Sequence, residues 1–220
     1  MINLLNVTLV APTGSHIEDT IKAMIYSIRE INFGAVKFVS HIWSKTLPSN
    51  IQFYECYPMD TYIKYNRFVF EDLAPYVDTD FCILVQYDGF ITNPHLWRNE
   101  FFDYDYIGAV WPYSEDSYIS PDGVHVRVGN GGFTLRSKKL LEAPKKYNIP
   151  FTHERGFYNE DGNVCVYNRE AFLKAGIKYA PIEVAKYFSH EKNVPEIQGT
   201  TPFGFHGWNE YGSQFRGVVQ

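Results

Sequence analysis

The sequence predicts an α/β protein with a central, mainly parallel sheet flanked by helices, and three observations carry that expectation. A β-rich run, Val7-Thr8-Leu9-Val10-Ala11, is followed by a segment of helical period and then by a second β-rich run, Val36-Lys37-Phe38-Val39-Ser40-His41. Strand, helix, strand in this order calls for a right-handed crossover and parallel pairing. Further on, Phe81-Cys82-Ile83-Leu84-Val85 is apolar without alternation, the pattern of a strand buried on both faces. At 220 residues, 45% hydrophobic and 20% charged, the chain suits a single domain, about 1–220, with a packed core.

Taken in order, the first strand runs into Pro12-Thr13-Gly14, and Ser15 stands three residues before Glu18 in capping-box spacing. Ile17, Ile21, Met24, Ile25, Ile28 and Ile31 then share one face of a 3.6-residue repeat, with Gly34 as the expected left-handed stop. A short strand is expected around Ile51 to Cys56. Asp60 stands where it can cap a helix through Tyr65, Arg67 and Leu73 that must end near Pro75. After the buried strand, Gln86-Tyr87-Asp88-Gly89-Phe90 is delivered to the edge where open α/β sheets bind ligands. Tyr106 to Trp111 reads as a strand, Ser114 to Gly123 as a polar loop, and Val124 to Leu135 as a Gly-interrupted strand or hairpin. Ser137 caps a short helix, Asn159-Glu160-Asp161 opens a helical segment ending at Gly176, and Tyr179-Ala180 reads as an edge strand.

Net charge is −5 and the basic residues are scattered, so the sequence-independent grip on nucleic acid is missing. The longest apolar stretches are of strand length, short of the roughly 20 residues of a membrane helix. Cys56, Cys82 and Cys165 are widely spaced, without metal-ligand or redox spacing, which suits a reducing compartment. The start has no basic n-region and enters the first strand at once, so a cytoplasmic protein is expected.

Several residues could carry chemistry. Asp88, followed by Gly89 directly after a buried strand, is a rigidly held carboxylate beside backbone open to a ligand, although Asp-Gly is also a common turn pair. Gly129-Asn130-Gly131-Gly132-Phe133 puts three glycines in a β-rich stretch, which reads either as close backbone approach or as a bulge. Glu160 and Asp161 are neighbouring carboxylates that either act chemically or cap a helix. His206 lies among glycines and aromatics in Phe203-Gly204-Phe205-His206-Gly207-Trp208. There is no His-x-x-x-His pair, Gly-x-Ser-x-Gly elbow or Walker loop.

Together, Tyr65-Asn66-Arg67-Phe68, Glu71 to Val77, the Gln86 to Phe90 segment, Gly129 to Arg136, and Phe203 to Gly207 resemble the GT-A-fold nucleotide-sugar glycosyltransferases. The likeness is stronger to a bacterial and viral group of uncharacterised GT-A-like proteins with Gln-aromatic-Asp-Gly-Phe, Gly-Asn-Gly-Gly-Phe and Phe-Gly-Phe-His-Gly motifs. The resemblance implies a Rossmann-like GT-A fold, with residues of about 1–90 as a nucleotide-binding half and about 91–220 as an acceptor-binding and catalytic half. It implies that Asp88 and His206 hold Mn2+ or Mg2+ against the donor diphosphate, and that Asp161, beside Glu160, is the catalytic base. Ala11, Pro12 and Thr13 would cradle the nucleotide base, Arg67 would face the diphosphate or sugar, Gln86 and Tyr87 would border the donor, and Asn130, Gly131 and Gly132 would pass beside the donor sugar. Gln86 stands where the pattern has its first acid, which removes one ligand charge.

The activity so implied is transfer of a hexosyl or deoxyhexosyl group from a nucleotide diphosphate sugar to a hydroxyl of a saccharide or other glycan acceptor, with inversion, in polysaccharide biosynthesis. Two rivals stand beside it. A nonenzymatic carbohydrate-binding module would use the 17 Phe, 17 Tyr and 4 Trp as stacking surface. A sugar nucleotidyltransferase would share the sheet, but calls for a longer, basic, Gly-rich first loop than Ala11-Pro12-Thr13-Gly14.

Overall fold

The computed structural model describes residues 1–113, 118–152 and 159–220. In it β1 (Ile2–Pro12) leads through α1 (Ile17–Ser27) to β2 (Ile31–Ser40), and β3 (Gln52–Glu55) leads through α2 (Tyr62–Arg67) to β4 (Phe81–Leu84). These four strands pair in parallel in the order β3-β2-β1-β4. Alternate residues of a strand point to opposite faces. Val7, Leu9, Ala11 and Ile83 therefore join Ile21 and Met24 of α1 in one core, whereas Val10, Cys82 and Leu84 join Phe68, Val69 and Leu73, just beyond α2, in another. The two crossovers cover opposite faces, so the sheet has its topological switch between β1 and β4.

Downstream come β5 (Gly89–Ile91), β6 (Tyr106–Ile107), β7 (Ala109–Val110), β8 (Val128–Gly129) and β9 (Thr134–Ser137). The helices α3 (Lys138–Tyr147), α4 (Glu160–Gly162), α5 (Arg169–Lys174) and α6 (Ile182–Phe188) follow, then β10 (Ser189–His190), β11 (Gly204–His206) and α7 (Arg216–Val219). The first sheet is completed by antiparallel β9 and β6, giving six strands among the described residues; a second sheet runs β5-β11-β10-β7-β8. The α/β class with a mainly parallel central sheet flanked by helices is thus observed. The second sheet is an addition to what the sequence predicts.

Phe90, Phe133, Phe188, Phe203 and Phe205 are buried around that second sheet, with Phe133 stacked on Phe188 at 5.0 Å and Phe90 edge-on to Phe205 at 4.8 Å. Each such ring contributes roughly 1.5–3 kcal/mol by burial, so the β5–β11 pair rests on a firm apolar floor.

Several local expectations change. Ser15 and Glu18 form no capping box: His16 is the N-cap, left-handed at φ 51°, and Glu18 accepts instead from Ser44 and Thr46. The helix stops at Ser27, and Gly34 lies within β2. A Cβ there would stand 2.1 Å from Leu5 O, so glycine serves close strand approach rather than helix termination. Thr61, not Asp60, caps α2 by accepting from Lys64 N, while Asp60 pairs with the Lys64 ammonium at 2.7 Å. The segment Tyr106 to Trp111 splits between the two sheets, and Val124 to Leu135 does likewise, so each bridges two sheets rather than forming one strand or hairpin. Ser137 caps α3 as expected, through Leu140 N. Tyr179 makes only an isolated bridge to Tyr106. Of the expected polar loop, residues 114–117 lie outside the described residues.

Candidate active site

The carboxyl ends of β1 and β4 open onto a cleft of about 380 Å³, where the topological switch leads a ligand site to be sought. Its floor is the Pro12-Thr13-Gly14-Ser15 loop, in which Thr13 Oγ1 accepts from Ser15 N and Thr13 N donates to Val39 O. One wall is Tyr62 and Tyr65 from α2, and another is Gln86-Tyr87-Asp88. The left-handed turn at His16 lays its imidazole flat on Tyr87, ring centres 4.0 Å apart and planes 12° apart. That stacked pair forms a flat, half-polar rim. The cleft has the size and the mix of apolar and polar lining of a small-molecule site.

At the inner end of the cleft the antiparallel register of β5 and β11 pairs Gly89 with His206, and Gly207 N donates to Asp88 O at 2.7 Å. Asp88 Oδ1 thereby comes 3.8 Å from His206 Nε2. This oxygen is buried, and no hydrogen-bond donor among the described residues reaches it. A buried carboxylate oxygen left so is costly unless a ligand satisfies it. On its other side the His206 ring donates from Nδ1 to Glu191 Oε1 at 3.1 Å, and Glu191 Oε2 accepts from the Trp111 indole at 3.0 Å. Burial opposes the imidazolium, but the Glu191 hydrogen bond and charge, with Asp88 and Asp161 behind them, outweigh it and hold the His206 pKa above its ordinary value.

The glycine run is the link between the sheets: β8 ends at Gly129 and β9 begins at Thr134. Asn130 turns the chain at φ 93°, with its Oδ1 accepting from Gly132 N at 2.7 Å and its carbonyl accepting from the Tyr106 hydroxyl. A Cβ on Gly132 would stand 2.1 Å from His206 Nε2 and 2.8 Å from Gln86 Oε1, so only glycine lets the link pass this close to the Asp88–His206 pair. Gln86 is oriented by donating from Nε2 to the Tyr65 hydroxyl at 2.5 Å, which leaves its Oε1 on the site side as a neutral acceptor.

Asp161 sits behind Gly131, whose Cβ would lie 3.6 Å from Asp161 Cβ. Its carboxyl pKa is pushed up to about 7 by burial first, then by the charges of Glu160 and Glu191. Glu160 plays a different part. Its Oε1 accepts from Arg136 at 2.8 Å, both side chains being buried, and its backbone N–H donates to Asn66 Oδ1. Arg136 also donates to Thr134 Oγ1, so strand β9 and helix α4 are pinned together just where Asp161 projects.

Of the residues singled out in the sequence, Pro12, Thr13, Gln86, Tyr87 and Asp88 line the cleft, and Gly132, Gly131, His206 and Asp161 gather at its inner end. Four do not line it, the first being Asn130, which is fully buried with its Oδ1 accepting from Gly132 N. Ala11 is fully buried in the core beneath α1. Arg67 reaches Glu71 at 3.9 Å and the Phe151 ring at 5.7 Å instead of lining the cleft. Glu160 is committed to Arg136 through Oε1, the oxygen that a Cβ on Gly131 would meet at 2.2 Å. Sequence reasoning missed His16, Tyr62, Glu191 and Trp111. None lies in a motif of fixed spacing, and Glu191 enters only because β10 pairs in parallel with β11.

For a divalent cation the donor set is sparse. Among the described residues no group of three His, Cys, Asp or Glu side chains could hold a metal. The orphaned Asp88 oxygen and the His206 ring nitrogen nevertheless fit one: a hard cation that keeps several positions for water and phosphate oxygens needs only one or two protein ligands, and manganese accepts imidazole.

The fold is similar to that of a GT-A glycosyltransferase. Two crystal structures of LgtC align over 97% of this chain and 95% of theirs with a TM-score of 0.59: an active-site mutant at 12% identity, and the galactosyltransferase in complex with donor and acceptor sugar analogs at 13%. A search of curated proteins finds no match. A family model matches residues 49–206, a span that takes in Gln86 to Gly89, the glycine link, Asp161, Glu191 and His206, so the chain belongs to DUF5672, a protein family described as of unknown function.

Proposed function

We propose that the protein is a metal-assisted glycosyltransferase that moves a sugar from a nucleotide diphosphate donor to a hydroxyl of a saccharide or other glycan acceptor, with inversion at the anomeric carbon. The observation that carries this reading is the buried, unpartnered Asp88 oxygen facing His206 at the inner end of a cleft set on the topological switch. The likeness to LgtC, seen with donor and acceptor sugar analogs, supports the same reading at the level of the fold.

Residues of about 1–90 would receive the nucleotide, its base against the flat His16–Tyr87 rim and its ribose over Thr13 and Ser15. Asp88 and His206 would hold Mn2+ or Mg2+, which, when bound, neutralises charge growing on the departing diphosphate. Gln86 Oε1 offers a neutral oxygen where a second acid would otherwise stand. The backbone of Gly131 and Gly132 leaves space for the donor sugar, and Asn130, held left-handed, fixes the path of that link. Asp161 takes the proton of the acceptor hydroxyl as it attacks; a carboxyl with its pKa near 7 is matched to that work at neutral pH. The acceptor would lie in the half formed by residues of about 91–220. Free Cys56, Cys82 and Cys165 accord with work in the cytoplasm, on a polysaccharide under assembly.

A thermal-shift screen of nucleotide sugars with and without Mn2+ tests this reading, since a ligand that binds only the folded state raises its melting temperature. One donor should stabilise the protein in Mn2+ and, with a glycan acceptor, give a product whose anomeric proton coupling shows inversion. Retention would refute Asp161 as the base of a direct displacement. Absence of stabilisation by any nucleotide sugar would refute the activity.

A further inference from the structure

Glu191 spends both carboxylate oxygens, one on the Trp111 indole and one on His206 Nδ1. An indole N–H is only a donor and a carboxylate only an acceptor, so neither bond can reverse. The His206 ring must therefore carry its hydrogen on Nδ1, and in the neutral ring Nε2 presents a lone pair toward the unpartnered Asp88 oxygen 3.8 Å away. Two lone pairs facing each other across that gap repel unless a cation lies between them. The alternative tautomer, like the imidazolium, would point an N–H at Asp88 and offer a cation no lone pair.

We propose that Glu191 is a positioning residue which, anchored by Trp111, holds His206 in the Nδ1–H tautomer and so keeps the Asp88–His206 pair open to a divalent cation. This rests on the cation reading above. Carboxylates behind metal-bound imidazoles typically change metal affinity by about 10–100-fold when removed. The geometry here adds a sharper consequence. In Glu191→Gln the amide oxygen must still accept from Trp111, so the amide nitrogen faces His206 Nδ1 as a donor and forces the hydrogen onto Nε2. Replacing Trp111 as well, in Trp111→Phe/Glu191→Gln, frees the amide to turn its oxygen toward Nδ1 and restores the first tautomer.

The experiment reads the ring nitrogens of His206 by 15N NMR in alkaline buffer, where the imidazole is neutral, and Mn2+ affinity by electron paramagnetic resonance. Wild type should show Nδ1–H, Glu191→Gln should show Nε2–H with Mn2+ binding weakened about 10–100-fold, and the double variant should recover both. A wild-type Nε2–H tautomer overturns the proposal without any variant. So does a Glu191→Gln protein whose tautomer or Mn2+ affinity is unchanged while wild type binds the ion. Wild-type protein that takes up no Mn2+ overturns the cation reading itself, and the proposal with it.

Discussion

At neutral pH Asp161 lies near the midpoint of its titration, because burial and the neighbouring Glu160 and Glu191 push its pKa from 3.8 to about 7. As a base it must be deprotonated, so turnover should rise as pH climbs through about 7, and a pH–rate profile of kcat/KM should show that ascending limb. Asp161→Asn should lower kcat by about 10²–10⁴-fold with nucleotide binding intact. For folding, the native state retains a proton that the unfolded chain has released, so stability is lost as pH rises from the unfolded value toward about 7. Asp161→Asn should therefore be more stable than wild type above about pH 7, on the order of 1–4 kcal/mol by urea unfolding, and equal to it in acid. A residue serving only as a helix cap would show neither effect, since asparagine caps as well. Asp88 can be picked out in the sequence because a buried strand delivers it to the binding edge, and His206 only through the resemblance. Glu191 cannot be picked out, because its role depends on pairing between short, distant strands.

The link from β8 to β9 is the element that most tightly constrains the site. Gly132→Ala would place a methyl 2.0 Å from His206 Cδ2, and either the imidazole or the link would have to shift, disturbing the Asp88–His206 pair. The variant should lose Mn2+-dependent nucleotide binding and about 1–3 kcal/mol of stability, both measurable on the purified protein. On the far side of the link the Arg136–Glu160 pair holds β9 to α4. Arg136→Met would leave a buried carboxylate uncompensated and should cost about 3–5 kcal/mol in chemical denaturation, whereas Arg136→Met/Glu160→Met should recover much of it. The glycine run reads in sequence as close backbone approach or as a bulge, and local sequence cannot decide between them. What decides is that its two ends belong to different sheets. The start of α1 departs from its capping-box pattern for a related reason: Glu18 finds better partners in Ser44 and Thr46, residues of a loop that no local pattern brings near it.

Across the whole molecule, the parallel β3-β2-β1-β4 core follows from long apolar runs and crossover helices, signals carried by neighbouring residues. The second sheet is built of strands two or three residues long, too short for alternation to register, and is held by phenylalanines far apart in sequence. That sheet supplies His206 and, through β10, Glu191, so half of the site lies where the sequence signal is weakest. If the two sheets meet to hold a cation against a bound diphosphate, calorimetric titration of wild type and Asp88→Asn with a nucleoside diphosphate, with and without Mn2+, tests it most directly. Mn2+ should tighten binding to wild type by about tenfold or more, and Asp88→Asn should abolish this gain while the protein stays folded. Equal affinity with and without Mn2+, or an Asp88→Asn protein that keeps the full gain, would contradict a cation site shared between the sheets.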